Sequence, residues 1–347
     1  MKIYVFVMNR SKLLLAFLII LSGVFTEEAF AQDPTFSQFY SNPLYLNPAF
    51  AGAQGCPKIH VNQRIQWPEL RGSFNTTAIS FDKNLPNINS GYGVQVVYDD
   101  AGNGLLSTFK AAGMYSYQLK INKKSYILAG AEMSFNSKSL DEDKLVFGDQ
   151  IGPNGQVYTS SEVGNINTSA SFVDFSFGAV GYTQKFYLGF AAHHITRPDD
   201  SFFQSKSVNN IIIDPQSRLP VKYTIHAGSN FAINGAARRG IISDGPFMTA
   251  GLIYQKQGAA DQLNLGLSIT NKSLSGGVWY RVNSENADAI ILIAGYTFLN
   301  TTIGYSYDAT VSDLAGETGG SHELSLKFQL PCKKVKKTIE AITCPKF

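Results

Sequence analysis

HELSLKFQL, residues 322–330, alternates polar and apolar side chains from Glu323 onward. Its apolar side chains occupy every second position: Leu324, Leu326, Phe328 and Leu330. Successive side chains of a β-strand point to opposite faces, so this period of two predicts a strand with one apolar and one polar face. The same alternation recurs at 263–270 and 302–308. Segments of about ten residues with this pattern are typical of a transmembrane β-barrel, whose apolar face contacts lipid and whose polar face lines the lumen.

Fourteen segments of the sequence carry this alternation. They are 58–66, 74–82, 90–99, 106–120, 124–136, 170–183, 185–194, 221–234, 246–257, 260–271, 273–283, 288–298, 300–309 and 321–330. An even count is expected of a single-chain bacterial barrel. We therefore predict an all-β chain, with a transmembrane antiparallel β-barrel of about 14 strands over residues 58–330. A periplasmic or lumenal segment, 32–57, precedes the barrel, and a basic periplasmic tail, 331–347, follows it.

The connections between these segments differ in length in a regular way. Taken alternately, the connections form two sets. One set consists of 67–73, 100–105, 137–169, 195–220, 258–259, 284–287 and 310–320, and it contains all of the longest connections. Barrels place long loops outside the cell and short turns in the periplasm, so this parity predicts an outer-membrane protein with both termini in the periplasm. An exported β-sandwich would also alternate, but it accounts less well for long connections on one side and for a charged fraction of only 16%.

Residues 1–31 have the features of a secretory signal peptide. Basic residues between positions 2 and 12 precede the apolar run 13–25, and the sequence AFA at 29–31 fits a small-x-small cleavage pattern. The mature chain is therefore expected to begin at Gln32. An N-terminal membrane anchor is the alternative, but the apolar run is short for a span, which needs about 20 residues.

The tail 331–347 contains five lysines and two of the three cysteines of the chain. Export permits disulfides. A bond between Cys332 and Cys344 would tie down the tail and leave Cys56 odd, although the sequence does not settle the pairing. The lysines favour contact with a periplasmic partner or with lipid headgroups, and nucleic acid is not an expected partner in that compartment.

Two groups of residues resemble metal sites at first sight. His193 and His194 end one predicted strand and His226 lies in the next, but adjacent strand residues point to opposite faces, so a polar lumenal pair is favoured over a metal site. The acidic run 141–143 lacks the spacing of a calcium loop, which favours a solvated loop. The sequence contains no GxSxG, HExxH or phosphate-loop motif. We therefore predict that the protein is not an enzyme and has no cofactor, metal or catalytic residue; a barrel hydrolase using these histidines is the weakest alternative.

Aromatic residues near the predicted strand ends are expected to form girdles at the two membrane interfaces. These residues are Trp67, Tyr92, Tyr98, Tyr115, Tyr117, Trp279 and Tyr280. Interior packing is the alternative for any one of them.

Short motifs along the whole mature sequence resemble one known family. They are Asp33-Pro34, 36–40 (FSQFY), 47–52 (NPAFAG), 63–67 (QRIQW), 91–93 (GYG), 99–102 (DDAG), 279–281 (WYR), 304–308 (GYSYD), 319–326 (GGSHELSL) and 344–347 (CPKF). Their order and spacing resemble the PorP/SprF family of the type IX secretion and gliding-motility system of Bacteroidetes. The positions that carry the resemblance include Asn47, Pro48, Gly52, Arg64, Trp67, Tyr305, Ser306, Tyr307, Asp308, His322 and Glu323. The chain departs from the family pattern at 68–72, where PELRG replaces a glycine-rich stretch.

The resemblance implies an outer-membrane barrel without enzymatic activity. Family members assist the secretion or surface attachment of particular cargo proteins, including motility adhesins. The implied partners are the type IX machinery, exported cargo, outer-membrane lipid and a periplasmic peptidoglycan-linked lipoprotein. A passive channel for small solutes is the alternative function, because a barrel of this size lies between packed eight-stranded barrels and open porins.

The stretch 32–52 is rich in both proline and aromatic residues. Pro34, Pro43 and Pro48 are expected to prevent helix and ladder pairing. The aromatic side chains give the stretch apolar surface to bury. We therefore expect an ordered plug or docking strip, with a simple linker into the first strand as the alternative.

Overall fold

The computed structural model describes the residues 32–53, 55–122, 125–145, 150–151, 167–183, 185–202, 206–208, 211–213, 218–233, 237–238, 241–242, 246–284, 287–312 and 315–331. The expected signal peptide, 1–31, and the tail beyond residue 331 lie outside them. No helix within the described ranges has the length and apolar character needed to cross a membrane.

The described strands are β1 (Lys58–Gln66), β2 (Phe74–Leu85), β3 (Ser90–Ala101), β4 (Leu106–Lys120), β5 (Tyr126–Leu140), β6 (Ser169–Tyr182), β7 (Phe186–His193), β8 (Lys206–Val208), β9 (Ile211–Ile213), β10 (Lys222–Ala232), β11 (Ala237–Arg238), β12 (Ile241–Ile242), β13 (Phe247–Gln257), β14 (Ala260–Asn271), β15 (Leu274–Val282), β16 (Ala287–Phe298), β17 (Thr301–Thr310) and β18 (Ser321–Gln329). Fourteen of them form a closed antiparallel barrel, which β1 and β18 close by pairing. The predicted fold is therefore confirmed. The short pairs β8–β9 and β11–β12 lie within connections and were not predicted.

The alternation of the sequence becomes the two faces of the barrel wall. In β18, Leu324 faces outward and is 48% exposed, whereas the neighbouring Glu323 faces the lumen and is 1% exposed. The same division runs through the barrel, so its outer surface carries apolar side chains and its polar side chains are enclosed. A wall with this polarity fits a barrel that spans a membrane, because lipid cannot hydrogen-bond to polar groups.

The two ends of the barrel differ in their connections. We call one the long-loop end: it carries the connections 67–73, 102–105, 141–168, 194–221, 258–259, 283–286 and 311–320. The other is the short-turn end, with 86–89, 121–125, 183–185, 233–246, 272–273 and 299–300. The barrel both starts and finishes at the short-turn end, where the Leu330 N–H donates to the Pro57 carbonyl at 2.9 Å.

The N-terminal segment forms short helical turns. They are two 3-10 turns, Phe39–Ser41 and Pro48–Phe50, and the four-residue helix α1, Pro43–Leu46. The expectation that the prolines prevent helix is correct only for a long helix. Pro43 and Pro48 each occupy the first position of a turn, where the missing N–H costs nothing because that position has no helical acceptor.

The expectation that Trp279 belongs to an aromatic girdle is wrong. Its side chain points into the barrel and is 2% exposed, whereas the adjacent Tyr280 faces outward. Phe39 of the N-terminal segment packs edge-on against the indole, with ring centroids 5.7 Å apart. Gly266 makes room for it, because a Cβ there would lie 2.1 Å from the indole Cδ2.

Candidate functional site

Residues 33–52, which we call the plug, lie inside the barrel. The main apolar core is built between the plug and lumen-facing strand residues rather than between two layers of the wall. Leu44 and Ala49 of the plug are fully buried, and Ile253 and Ile291 of the wall are buried in the same cluster. A barrel of this size has no interior side chains large enough to fill it, and the plug supplies them.

A cluster of charged residues holds the start of the plug. Its members, which we call the lumenal ion cluster, are Ser37, Arg64, Arg281, Asp308 and Glu323. The Ser37 hydroxyl accepts from Arg64 and Arg281, both at 2.7 Å, and donates to Asp308 at 2.5 Å. Arg64 also pairs with Asp308 at 2.9 Å, and Arg281 pairs with the same carboxylate at 3.1 Å. Two cations and one carboxylate therefore meet on one plug hydroxyl, and the second carboxylate, Glu323, lies 3.7 Å from Arg64.

Glu323 holds the plug backbone directly. Its carboxylate accepts from the Ser37 N–H at 2.6 Å and from the Gln38 N–H at 3.3 Å. The Gln38 amide donates to the Glu323 carbonyl at 2.9 Å and accepts from the Ser325 hydroxyl at 2.6 Å. Charge-assisted hydrogen bonds of this kind are stronger than neutral ones, so β18 fixes this part of the plug firmly.

Asn47 anchors the middle of the plug. Its side-chain oxygen accepts from the Ala49 N–H at 2.9 Å and so caps the second 3-10 turn. Its amide nitrogen donates to the Phe190 carbonyl at 3.1 Å and lies 3.0 Å from His226 Nε2. The buried amide therefore joins the plug to β7 and β10, where a ring nitrogen of His226 that carries no proton can accept from it.

Two lumenal glycines let the plug backbone touch the wall. A Cβ at Gly130 would lie 2.5 Å from the backbone nitrogen of Ala49, and one at Gly91 would lie 2.2 Å from the Ala51 carbonyl oxygen. Gly52, where the plug ends, has φ +67°, and a Cβ there would meet the backbone of Lys83 at 2.5 Å. Side chains at these positions would displace the plug.

The first residues of the plug are held at the long-loop end. His194 donates to Asp174 at 2.8 Å and to Asp33 at 2.9 Å, and the Lys222 ammonium lies 3.5 Å from Asp33. We call these four residues the clasp. His194 and Lys222 flank a long connection, so Asp33 and the exposed Gln32 lie at the end opposite to that where β1 begins. The described chain therefore starts and ends at opposite ends of the barrel, which differs from the prediction of both termini on one side.

Raising the pH is expected to loosen the clasp. Burial by itself lowers the pKa of His194, but the charge of Asp33 and hydrogen bonds to Asp174 and Asp33 outweigh it and raise the pKa to about 9. A pKa above the unfolded value means that the stabilisation is complete below about pH 6.5 and is lost as pH rises through about 9.

Hydrogen exchange of amides 33–36, corrected for its intrinsic pH dependence, measures this loss. We expect protection to fall between about pH 7 and about pH 10 in the wild type, and to be low and pH-independent in His194→Gln. His322→Gln, on the outer face of β18, should behave like the wild type. Protection that stays constant in the wild type would show that His194 does not hold the clasp.

The structure sorts the motif residues into three groups. Arg64, Asp308 and Glu323 lie in the lumenal ion cluster, and Ser306 is buried on the same lumenal face of the barrel. Asn47, Pro48 and Gly52 belong to the plug. The remaining four contact neither: Tyr305, Tyr307 and His322 lie together on the outer face, and Trp67 lies in a connection at the long-loop end.

The other sequence hypotheses have separate outcomes. His226 contacts the middle of the plug and His194 the clasp, and the described residues contain no group of three or more ligands suited to a metal ion. The acidic run 141–143 lies in a surface connection, where Asp141 pairs with Lys144 at 3.2 Å. Cys56 is disulfide-bonded, so the suggested pairing of Cys332 with Cys344, which leaves Cys56 without a partner in a chain of three cysteines, is wrong. Cys332 and Cys344 themselves lie outside the described residues.

Ser37 and Arg281 were not predicted as site residues from the sequence. Both belong to family-like motifs, 36–40 and 279–281, but the family resemblance gives no role to either. Arg281 could have been found from its strand parity, because a charged residue on the lumenal face of a strand needs a partner of opposite charge nearby.

Known families and solved structures resemble this chain to different degrees. A family model described as the type IX secretion system membrane protein PorP/SprF matches residues 28–328. No curated protein sequence matches significantly. Omp33 of Acinetobacter baumannii is similar at 11% identity and a TM-score of 0.43, over 80% of this chain and 100% of that chain. The TodX deltaS2S3 mutant monoaromatic hydrocarbon channel has 11% identity and a TM-score of 0.46, over 82% of this chain and 92% of that chain.

Proposed function

The chain belongs to the PorP/SprF family of type IX secretion system membrane proteins, and we propose that it assists the secretion or surface attachment of particular cargo proteins by binding them. The cargo includes motility adhesins where the cell glides. The protein acts as an outer-membrane component of the secretion system. Its action is recognition, without catalysis.

The occupied lumen is the observation that carries this proposal. The plug is fixed at three depths, by the clasp, by the lumenal ion cluster and by Asn47. A passive channel needs a continuous aqueous path, and a plug anchored in this way blocks one. The protein therefore works through surfaces that it presents at its two ends, and the solute channel is the weaker alternative.

The two ends have different partners in this proposal. The long-loop end faces outward, and the connections around 137–169 and 195–220 hold cargo at the cell surface. The short-turn end faces the periplasm and meets the secretion machinery, including a peptidoglycan-linked lipoprotein. The apolar outer wall contacts outer-membrane lipid.

The surface and medium proteomes of a deletion strain test the proposal. We expect one or a few large exported proteins to disappear from the surface, and to return when the wild-type gene is restored. Loss of all type IX cargo together would identify a core component of the machine instead. If no exported protein changes while solute uptake falls, the channel alternative replaces the proposal.

A further inference from the structure

Exposed charges are distributed unequally between the two ends of the barrel. Among the described residues, every exposed carboxylate lies at the long-loop end: Glu69, Glu142, Asp143, Asp199 and Glu317. The exposed charged residues described at the short-turn end are all lysines: Lys83, Lys120, Lys185 and Lys272. No described carboxylate forms an ion pair with any of these four. Within the described part of the chain, the exposed charges of the short-turn end are therefore all positive.

The plug leaves space at this same end. A cavity, which we call the vestibule, lies between plug residues 37–41 and the strands β14–β18. Its walls consist largely of glycine, serine and threonine, including Thr270 and Thr302, and Phe39 and Trp279 form its apolar floor. Thr270 and Thr302 remain partly exposed, whereas lumen-facing residues of the opposite wall such as Ser134 are buried.

The positions of the lysines indicate a partner that enters the mouth. Lys120 has the lumen-facing parity of Ser116 in β4, and Lys327 of β18 lines the vestibule. Lys83 alone has the outward parity that would suit lipid headgroups. The chain leaves the barrel at this mouth, and residues 332–347 add five lysines and one glutamate, so its own tail has the wrong charge to complement the rim.

We propose that the short-turn mouth binds an acidic, extended polypeptide segment of a partner protein. Its carboxylates pair with Lys120, Lys185 and Lys272 at the rim. Its backbone enters the vestibule, where hydroxyl groups can donate to and accept from peptide groups and small side chains leave room. An apolar side chain of the segment packs on Phe39 and Trp279. This inference rests on the proposed function and specifies the chemistry of the partner at the periplasmic end.

Fluorescence anisotropy on the purified full-length protein in phosphatidylcholine nanodiscs tests this site. The probe is a labelled 12-residue peptide of alternating glutamate and serine, and the control peptide has glutamine in place of glutamate. We expect the acidic peptide to bind at least about tenfold more tightly, with affinity falling as salt rises. The triple variant Lys120→Gln, Lys185→Gln, Lys272→Gln should bind about tenfold more weakly.

Two further variants test whether binding depends on the position of these charges and on the space inside the vestibule. Arg71→Gln, Lys144→Gln, Lys256→Gln removes three exposed charges at the long-loop end and should bind as the wild type does. Thr270→Trp narrows the vestibule and should weaken peptide binding while its charges stay unchanged. Folding is checked for each variant by the heat-dependent gel shift of the barrel.

Unchanged peptide binding in the folded rim variant would overturn the inference. If that variant instead loses binding to phosphatidylglycerol vesicles while peptide binding stays constant, the rim recognises lipid and the inference also fails. Peptide binding is measured without cargo. A failure of this inference can therefore be distinguished from a failure of the proposed function. A deletion strain that loses cargo although the peptide does not bind contradicts this inference alone. Peptide binding without any loss of exported protein contradicts the proposed function.

Discussion

Asp308→Ala is expected to release the plug from the lumen. The substitution leaves Arg64 and Arg281 buried with one remaining carboxylate in the lumenal ion cluster, Glu323, and removes the acceptor of the Ser37 hydroxyl. Breaking a buried ion pair on one side costs about 3–5 kcal/mol. Chymotrypsin can cut the aromatic-rich plug only when the plug leaves the barrel. We expect cleavage within 33–52 to become roughly 100-fold faster, because cleavage follows the population of the open form.

Two controls keep this result specific to the plug. Asp143→Ala removes an exposed carboxylate at the long-loop end and should leave the cleavage rate unchanged. Ser37→Ala keeps all four charges and should give a smaller increase, since it removes one hydroxyl at a cost of about 1–3 kcal/mol. The heat-dependent gel shift confirms that each barrel is closed. A plug that is cut no faster in folded Asp308→Ala would show that the lumenal ion cluster does not hold it.

Gly130→Val is expected to displace the plug through steric overlap. A Cβ at Gly130 would lie 2.5 Å from the backbone nitrogen and Cα of Ala49, and backbone cannot rotate away as a side chain can. Overpacking of a filled interior costs about 1–3 kcal/mol. We expect chymotrypsin cleavage of the plug to rise by roughly tenfold or more, with the barrel strands still paired.

Gly113 provides the matched control for this substitution. It lies in the neighbouring strand β4, and a Cβ there would meet nothing within 4 Å. Gly113→Val should therefore leave plug cleavage at the wild-type rate. Equal cleavage in the two valine variants would contradict the close approach between Ala49 and β5.

The barrel wall can be predicted well from the sequence because a strand residue tends to be apolar where it faces lipid and polar where it faces the lumen. Each strand residue faces either lipid or the lumen. Apolar and polar side chains therefore alternate within every segment, independently of residues that are distant in the sequence. The predicted segment 58–66 coincides with β1 and 260–271 coincides with β14. The prediction is less accurate where a strand continues beyond its alternating segment, as at β5, which reaches Leu140, because Ser137 and Ser139 replace apolar residues at the outward positions.

The plug and its contacts depend on tertiary structure, which no local sequence pattern indicates. The aromatic residues of 32–52 indicate burial, but their partners are set by the closure of the barrel. Arg64 meets Glu323 only because β1 pairs with β18 in a particular register. Trp279 illustrates the same limit: an aromatic residue near a strand end suits a girdle equally well, and only the plug shows why it faces inward.

Planar-bilayer conductance of the full-length protein, measured beside a variant lacking residues 33–52, tests the central claim that the chain fills its own barrel and acts by binding. We predict that the full-length protein shows no steady open state and that the deletion variant, once shown to be folded by its gel shift, forms stable open pores. A steady, large conductance of the full-length protein, equal to that of the variant without its plug, would contradict the account and favour a solute channel.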